Sequence, residues 1–264
     1  MTEQTVLLDI DERGVARVRL NRPDVNNAYN GKMIEALIDG LDVLAEDESV
    51  RVVVLSGNGR HFQAGADLKW LNEVRERNWS ENLAVSRNTT RAVQALTTLA
   101  KPTIALVHGG CFGGGTGIAA ACDIVLAADN AVFAISEARW GLIASPIVPQ
   151  LISRLGPGRL RRYSLTCERF DATRAYEIGL VDEVCAVDQL EATAAPIIDA
   201  LLHSPPEALA ESKAAVLKCA RLYFSVLEME EMARPHAAKR LSEEADEGLS
   251  SFLEKRKPSW YPEG

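Results

Sequence analysis

The sequence has no surplus of positive charge: 29 Lys and Arg stand against 37 Asp and Glu, a formal net charge of −8, so bulk attraction to nucleic acid or to an anionic membrane is not expected. It has no run of about 18 apolar residues, the length a membrane-crossing helix needs. Its five cysteines, at 111, 122, 167, 185 and 219, form no C-x-x-C pair and have no histidine at ligand spacing. This argues against a zinc site or a disulfide framework; the cysteines read as reduced thiols and no metal is expected. The opening stretch MTEQTVLLDIDERG carries acidic residues where a secretion signal needs a basic and then an apolar region, so a cytoplasmic protein is expected. What remains is an ordinary globular composition, 47% hydrophobic and 25% charged over 264 residues, enough for a sizeable core in one large domain with an appendage.

TVLLDI (5–10) and VARVRLN (15–21) alternate in the manner of strands, with Val6, Leu8 and Ile10 on one face, and Ala16, Val18 and Leu20 likewise. The turn Asp-Glu-Arg-Gly joins them into a hairpin. Residues 30–46 place Met33, Ile34, Leu37, Ile38, Leu41 and Leu44 at helical spacing, and VRVVVLSG (50–57) reads as a buried strand. Helices follow at GADLKWLNEV and around 81–99, then a strand at TIALVHG (103–109), a glycine-rich turn, a short helix, and strands at DIVLAAD (123–129) and AVFAI (131–135). Strands alternating with helices predict an α/β fold with both sheet faces covered. From FDATRAYEIGLVDEV (170–184) onward the chain is mostly helical. The reading divides it into 1–199 and a helical region 200–264, whose apolar stripe of Ala238, Leu241, Ala245, Leu249 and Phe252 needs a partner surface. An oligomer is predicted.

The stretch GGCFGGGTGIAAACD (109–123) asks why a backbone should be so bare in front of a helix. No Lys follows the glycines, so it is not a phosphate-binding P-loop. Gly115-x-Gly117-x-x-Ala120 matches a loose dinucleotide fingerprint, but it lies mid-chain and too far from the preceding strand. Close helix packing would also favour glycine. A further reading joins this turn to a second one, HFQAGADLKW (61–70), where Ala64-Gly65-Ala66 again separates a strand from a helix. Two such turns can aim two backbone N–H groups at one oxygen; preorganised donors of this kind stabilise an oxyanion, and losing one typically costs roughly 3–4 kcal/mol.

Five ordered blocks, NRPDVNNAYN (21–30), HFQAGADLKWL (61–71), GGCFGGGTGIAAACDIVLAAD (109–129), FAISEARWGL (133–142) and FDATRAYEIGLVDEV (170–184), resemble the signatures of the crotonase superfamily, the enoyl-CoA hydratases and isomerases. The resemblance runs to the FLEKRKP (252–258) ending. It implies a spiral of repeated ββα units, a C-terminal helical region that builds trimers or dimers of trimers, and an acyl-CoA substrate. CoA is then part of the substrate and no separate cofactor is expected. By motif position the oxyanion donors would be the amides of Ala64 and Gly114, while Arg22, Ala66, Asp67, Leu68 and Lys69 would meet the CoA portion. Lys255, Arg256 and Lys257 could meet its phosphates, or could simply complement a helix C-terminus. Asp67 could likewise be a first-turn helix residue. Hydratases of the family commonly carry two glutamates; here the first position matches Gly117 and the second Glu137.

One glutamate can activate water and then return the proton, or shuttle a proton between carbons, so hydratase and double-bond isomerase both remain open. A non-catalytic acyl-CoA-binding protein is a third alternative. The stretches FGGGTGIAAACDI, SEARWGLIASPIVPQLISRLG (136–156) and RRYSLTCERFDA (161–172) look most like bacterial single-glutamate hydratases of 3-methylglutaconyl-CoA (leucine breakdown) and isohexenylglutaconyl-CoA (terpene breakdown). Such substrates carry a second carboxylate, which Arg139 could face if its segment is extended. The alternative is a solvated surface arginine. His61 and His108, beside the two turns, read as structural hydrogen-bonders.

Overall fold

A computed structural model describes residues 4–262; the outermost positions of the two expected regions, 1–3 and 263–264, lie outside the described residues. The chain opens with β1 (Val6–Ile10) and β2 (Val15–Leu20), an antiparallel hairpin. Its turn closes because Asp11 accepts from the Arg13 and Val15 amides at 2.8 and 3.1 Å and Gly14 takes a φ of +80°. Helix α1 (Gly31–Glu46) starts where Asn30 accepts from the Met33 amide, and buries the six apolar residues expected of it. Next come β3 (Val52–Gly57), α2 (Leu68–Arg75), α3 (Trp79–Thr98), β4 (Thr103–Val107), β5 (Gly110–Phe112), α4 (Gly114–Ala121), β6 (Ile124–Ala128) and β7 (Val132–Ala134). The remainder is α5 (Val148–Thr166), β8 (Phe170–Asp171), α6 (Ala172–Glu177), β9 (Glu183–Cys185), α7 (Leu190–His203), α8 (Pro206–Cys219), α9 (Val226–Arg240) and α10 (Glu243–Leu253).

The strands form two sheets, ordered β1-β2-β3-β4-β6-β9 and β5-β7-β8. Apart from the hairpin the larger sheet is parallel, with Val18 beside Leu55, Leu55 beside Ala105 and Leu106 beside Leu126. Consecutive repeats feed both sheets: β4 joins the large sheet and β5 the small one, then β6 and β7 do the same. This is the spiral of ββα units. The continuous apolar runs now have a reason, because both faces of the large sheet are covered. Leu20, Leu55 and Ala105 pack into the main core with α1 and α3, while Val52, Ile104 and Leu126 pack under Leu190, Ala194 and Ile198 of α7. Position 199/200 falls inside α7, which belongs to this layer.

The hairpin register pairs Val6, Leu8 and Ile10 with Leu20, Val18 and Ala16, so each set shares a face as expected; on the edge strand Leu8 and Ile10 stay exposed while Val18 and Ala16 are buried. One local expectation needs correcting. The apolar stripe of the C-terminal region is not one face. Helix α9 ends at Arg240 and Ser242 caps α10 by accepting from the Ala245 amide. Ala245 and Leu249 then pack against Leu71 and Leu142 of the same chain, and Phe252 meets the Trp140 ring edge-on at 5.0 Å; Ala238 and Leu241 remain exposed. All five cysteines are free thiols, three of them buried. Among the described residues no helix is long and apolar enough to cross a membrane, and no cluster of His, Cys, Asp and Glu is placed to hold a metal.

Candidate active site

The second layer of the spiral brings the motifs together. Tyr29 bridges to Ala66, Gln63 bridges to Cys111, and Cys111 pairs with Phe133, so the chain segments lie side by side like rungs. Ala66, Gly114 and Glu137 each come just after their rung. The rungs are tied by backbone hydrogen bonds: Tyr29 N–H to Gly65 O (2.8 Å), Asp67 N–H to Tyr29 O (2.9 Å), Phe112 N–H to Gln63 O (2.9 Å) and Gly113 N–H to Ala134 O (2.8 Å). Glycine is required at 65, where φ is +89° and a β-carbon would press to 3.0 Å from the Phe112 carbonyl oxygen. Without it the two turns could not touch.

The donors are not quite those expected. The Ala64 amide is already engaged, donating to Asn26 O at 3.0 Å, so it is corrected as an oxyanion donor. The bridge to Tyr29 uses the carbonyl of Gly65 and the amide of Asp67, which turns the intervening Ala66 amide to the opposite side of the segment. Among the described residues neither the Ala66 amide nor the Gly114 amide has an acceptor. For Gly114, the first residue of α4, that follows from the helix start itself, which also carries the positive end of the helix dipole. Ala64 and Ala66 are both small residues flanking the same glycine, and only the bridge pattern tells them apart.

Glu137 begins a 3-10 turn, Glu137–Trp140, separated by two residues from the end of β7. A β-carbon on Gly113 would lie 2.9 Å from its Oε1, so the carboxylate fills the space that glycine leaves. Oε2 is buried with no hydrogen-bond partner, while other atoms of the residue face a cavity. Burial pushes the carboxyl up to about 7, against the pull of its own amide and that of Ser136. A carboxyl so tuned can both take and return a proton near neutrality. Gly117 is closed to a second carboxylate, because a β-carbon there would stand 2.1 Å from Cγ2 and 2.4 Å from Cβ of Ile147.

Tyr29, quoted in the NRPDVNNAYN block but given no role, sits over the first residue of α4. Its Cε1 is 2.5 Å from where a Gly114 β-carbon would be, and its ring meets Trp70 edge-on. Burial first, and then the Glu137 charge, hold its phenol above the usual range, partly offset by Arg240. His236 and Arg240 of α9 also line the cavity. Neither was singled out, since two polar residues on a mostly polar helix give no signal of burial.

The cavity holds about 480 Å³ and is walled by Ala64, Ala66, Asp67, Leu68, Lys69, Gly114, Glu137 and Arg139 among others. Lys69 is exposed on α2. Asp67 is the N-cap of α2, accepting from the Trp70 amide, and also pairs with Arg22 at 3.1 Å. Arg22 further donates to the Ala28 carbonyl and is not among the residues that wall the cavity; in the structure it clamps the 22–29 loop. Arg139 lies in the 3-10 turn, so the alternation argued for an extended segment does not hold; the residue is exposed and donates to Cys167 O at 3.2 Å. Gly110 N–H donates to His61 Nδ1 at 2.7 Å, and His108 Nε2 donates to Gly59 O at 2.9 Å, which are the structural roles expected. Arg256 is held by Glu247 and Glu254, and Lys257 lies over the Tyr261 ring.

Comparison with known proteins is consistent with this arrangement. The family profile described as enoyl-CoA hydratase/isomerase matches residues 11–263. The hydroxycinnamoyl-CoA hydratase-lyase of Pseudomonas fluorescens is 32% identical, over 95% of this chain and 92% of the relative. The 2,3-dehydroadipyl-CoA hydratase of Escherichia coli is 32% identical, over 94% and 96%. Among solved structures, an enoyl-CoA hydratase from Mycobacterium avium superposes with a TM-score of 0.86 at 32% identity, covering 98% of this chain and all (100%) of the other.

Proposed function

The chain belongs to the enoyl-CoA hydratase/isomerase family, and from that membership we propose that it hydrates the 2,3 double bond of a β-branched enoyl-CoA, 3-methylglutaconyl-CoA or isohexenylglutaconyl-CoA, in leucine or terpene breakdown in the cytoplasm. The observation that carries hydration is the Glu137 carboxylate lying against Gly113 with Oε2 unpartnered, in the same cavity as the acceptor-less amides of Gly114 and Ala66. The thioester carbonyl oxygen accepts from those two amides. Glu137 takes a proton from water as the oxygen bonds to Cβ, and the π-electron pair moves onto the thioester as an enolate. The two amides hold the enolate oxygen, the same Glu137 returns the proton to Cα, and the carbonyl re-forms. Each lost donor would cost about 10²–10³ in rate.

The E. coli relative, whose name denotes a hydratase of a dicarboxylic enoyl thioester, supports a substrate with a second acid. Lys69, Ala66 and Leu68 are proposed to meet the CoA portion. Isomerisation is the second reading, favoured by the single carboxylate that the Gly117–Ile147 contact enforces. A homotrimer or dimer of trimers is proposed on the family resemblance, and light scattering reads its mass as a multiple of 28.7 kDa.

The deciding experiment is mass spectrometry of products from crotonyl-CoA, 3-methylglutaconyl-CoA and isohexenylglutaconyl-CoA in oxygen-18 water, with Glu137→Gln as control. Label confined to a branched glutaconyl thioester and lost in the variant supports the reading. No label from any of the three, with double-bond migration in 3-enoyl-CoA, replaces it by isomerisation.

A further inference from the structure

Arg240, the last residue of α9, is 1% exposed and yet lines the cavity. Its contacts are all to uncharged acceptors: Nη1 to the carbonyl and Oδ1 of Asn82 at 3.2 and 3.3 Å, Nη2 to Ser86 Oγ at 3.1 Å and His236 Nδ1 at 3.3 Å. These are longer than the about 2.7–2.9 Å that a guanidinium makes with a carboxylate. Nε is buried with no partner, and among the described residues no carboxylate pairs with this arginine.

A guanidinium removed from water needs a counter-charge, and among the described residues none provides one for Arg240. Burial draws its own pKa down to about 10. His236 is held neutral, drawn to about 3 by burial and then by the arginine. The Tyr29 phenol stays protonated. The cavity that Arg240 lines is where a ligand can bring that negative charge.

We infer that Arg240 receives a carboxylate carried on the acyl group, so that the site selects enoyl thioesters bearing a second acid over neutral ones of the same size. This rests on the reading of the cavity as an acyl-CoA site. Arg240, Tyr29 and Glu137 line the same cavity, so an acyl group whose thioester end lies at Glu137 shares its pocket with the guanidinium. Arg139 and Lys69, being exposed, are screened by water and salt and discriminate less.

The first test uses the wild-type protein and two unreactive thioesters of equal chain length, glutaryl-CoA and pentanoyl-CoA, by titration calorimetry. Glutaryl-CoA is expected to bind at least about tenfold more tightly, and that preference is expected to shrink to within about threefold in Arg240→Gln. Equal affinity in the wild type overturns the inference even if the variant does not fold. The second test is the ratio of kcat/KM for 3-methylglutaconyl-CoA over 3-methylpent-2-enoyl-CoA, expected to fall about 100-fold in Arg240→Gln. If both thioesters lose turnover equally, Arg240 only braces α9 on α3. Hydration without any preference removes the inference and leaves the hydratase reading standing; tight glutaryl-CoA binding without hydration does the reverse.

Discussion

The carboxylate of Glu137 lies against the α-carbon of Gly113, so closely that a β-carbon there would stand 2.9 Å from Oε1 and 3.3 Å from Cδ. Gly113 also has a φ of +52°, which a side chain tolerates poorly, and it is the residue that turns β5 into α4. Gly113→Ala must displace the base. A misplacement of about 1 Å costs up to about 10² in rate, so kcat is expected to fall about 10- to 100-fold while circular dichroism still reports a folded protein. Wild-type kcat in this variant would show that the contact does not position Glu137.

The pH dependence follows from the same carboxyl, which burial pushes from 4.5 up to about 7. The ionised form is the base, so kcat/KM should climb with pH by about tenfold per unit and level off above about 7. The stability effect has the opposite direction. Between the unfolded and folded pKa values the folded state holds the extra proton, so stability is lost as pH rises from 4.5 through about 7, by at most about 3 kcal/mol. Glu137→Gln cannot show that loss. Its melting temperature relative to wild type is therefore expected to rise between about pH 5 and pH 8; a constant difference would mean that the carboxyl is not raised.

The α/β character of the fold was legible because that information is local and periodic, whereas the ββα spiral was implied by the family resemblance. The six buried residues of α1, the hairpin turn and the alternation of strands with helices all follow from spacing. Glu137 and Gly114 were legible through their motifs. Ala64 was chosen over Ala66 because residue type does not reveal which amide a neighbouring carbonyl has already taken, and that depends on Asn26 and Tyr29 arriving from another segment. For Arg139 the premise of an extended segment failed, because the strand ends at Ala134 and a 3-10 turn follows, a boundary without a strong sequence mark. Tyr29 and Arg240 act through contacts between distant segments, to which helical periodicity is blind; Arg240 sits on a helix whose polar residues read as surface.

The choice between the two alanine amides can be measured by replacing each residue with its α-hydroxy acid, which changes the amide N–H to an ester oxygen and leaves the side chain alone. At 66 the change deletes a donor to the developing enolate, and kcat is expected to fall about 10²–10³-fold. At 64 it deletes the bond to Asn26 O, costing about 1 kcal/mol of stability with a much smaller effect on kcat. The reverse pattern would return the oxyanion role to Ala64.

The single-glutamate chemistry is built into the packing at Gly117, where a β-carbon would lie 2.1 Å from Ile147 Cγ2 and 2.4 Å from its Cβ. The obstacle is a β-branched side chain on the Ser145–Ile147 turn, 3% exposed in the main core, stiff at χ1 and part of the cavity wall. Gly117→Ala alone is then expected to cost about 1–3 kcal/mol, the usual price of overpacking, and to lower the melting temperature by several degrees. Shortening the obstacle should rescue part of that loss: in the double variant with Ile147→Gly, the two effects are expected to be favourably coupled by about 1–3 kcal/mol in a thermodynamic cycle. Gly117→Glu should be less stable still and no faster as a hydratase, because a carboxylate forced past Ile147 disturbs the wall that faces Glu137. Chemical denaturation of the four variants, Gly117→Ala, Ile147→Gly, their double and Gly117→Glu, with hydration of 3-methylglutaconyl-CoA measured beside it, decides the matter. A Gly117→Glu protein of wild-type stability that hydrates faster would mean that the second acid was merely omitted and that the core leaves room for it.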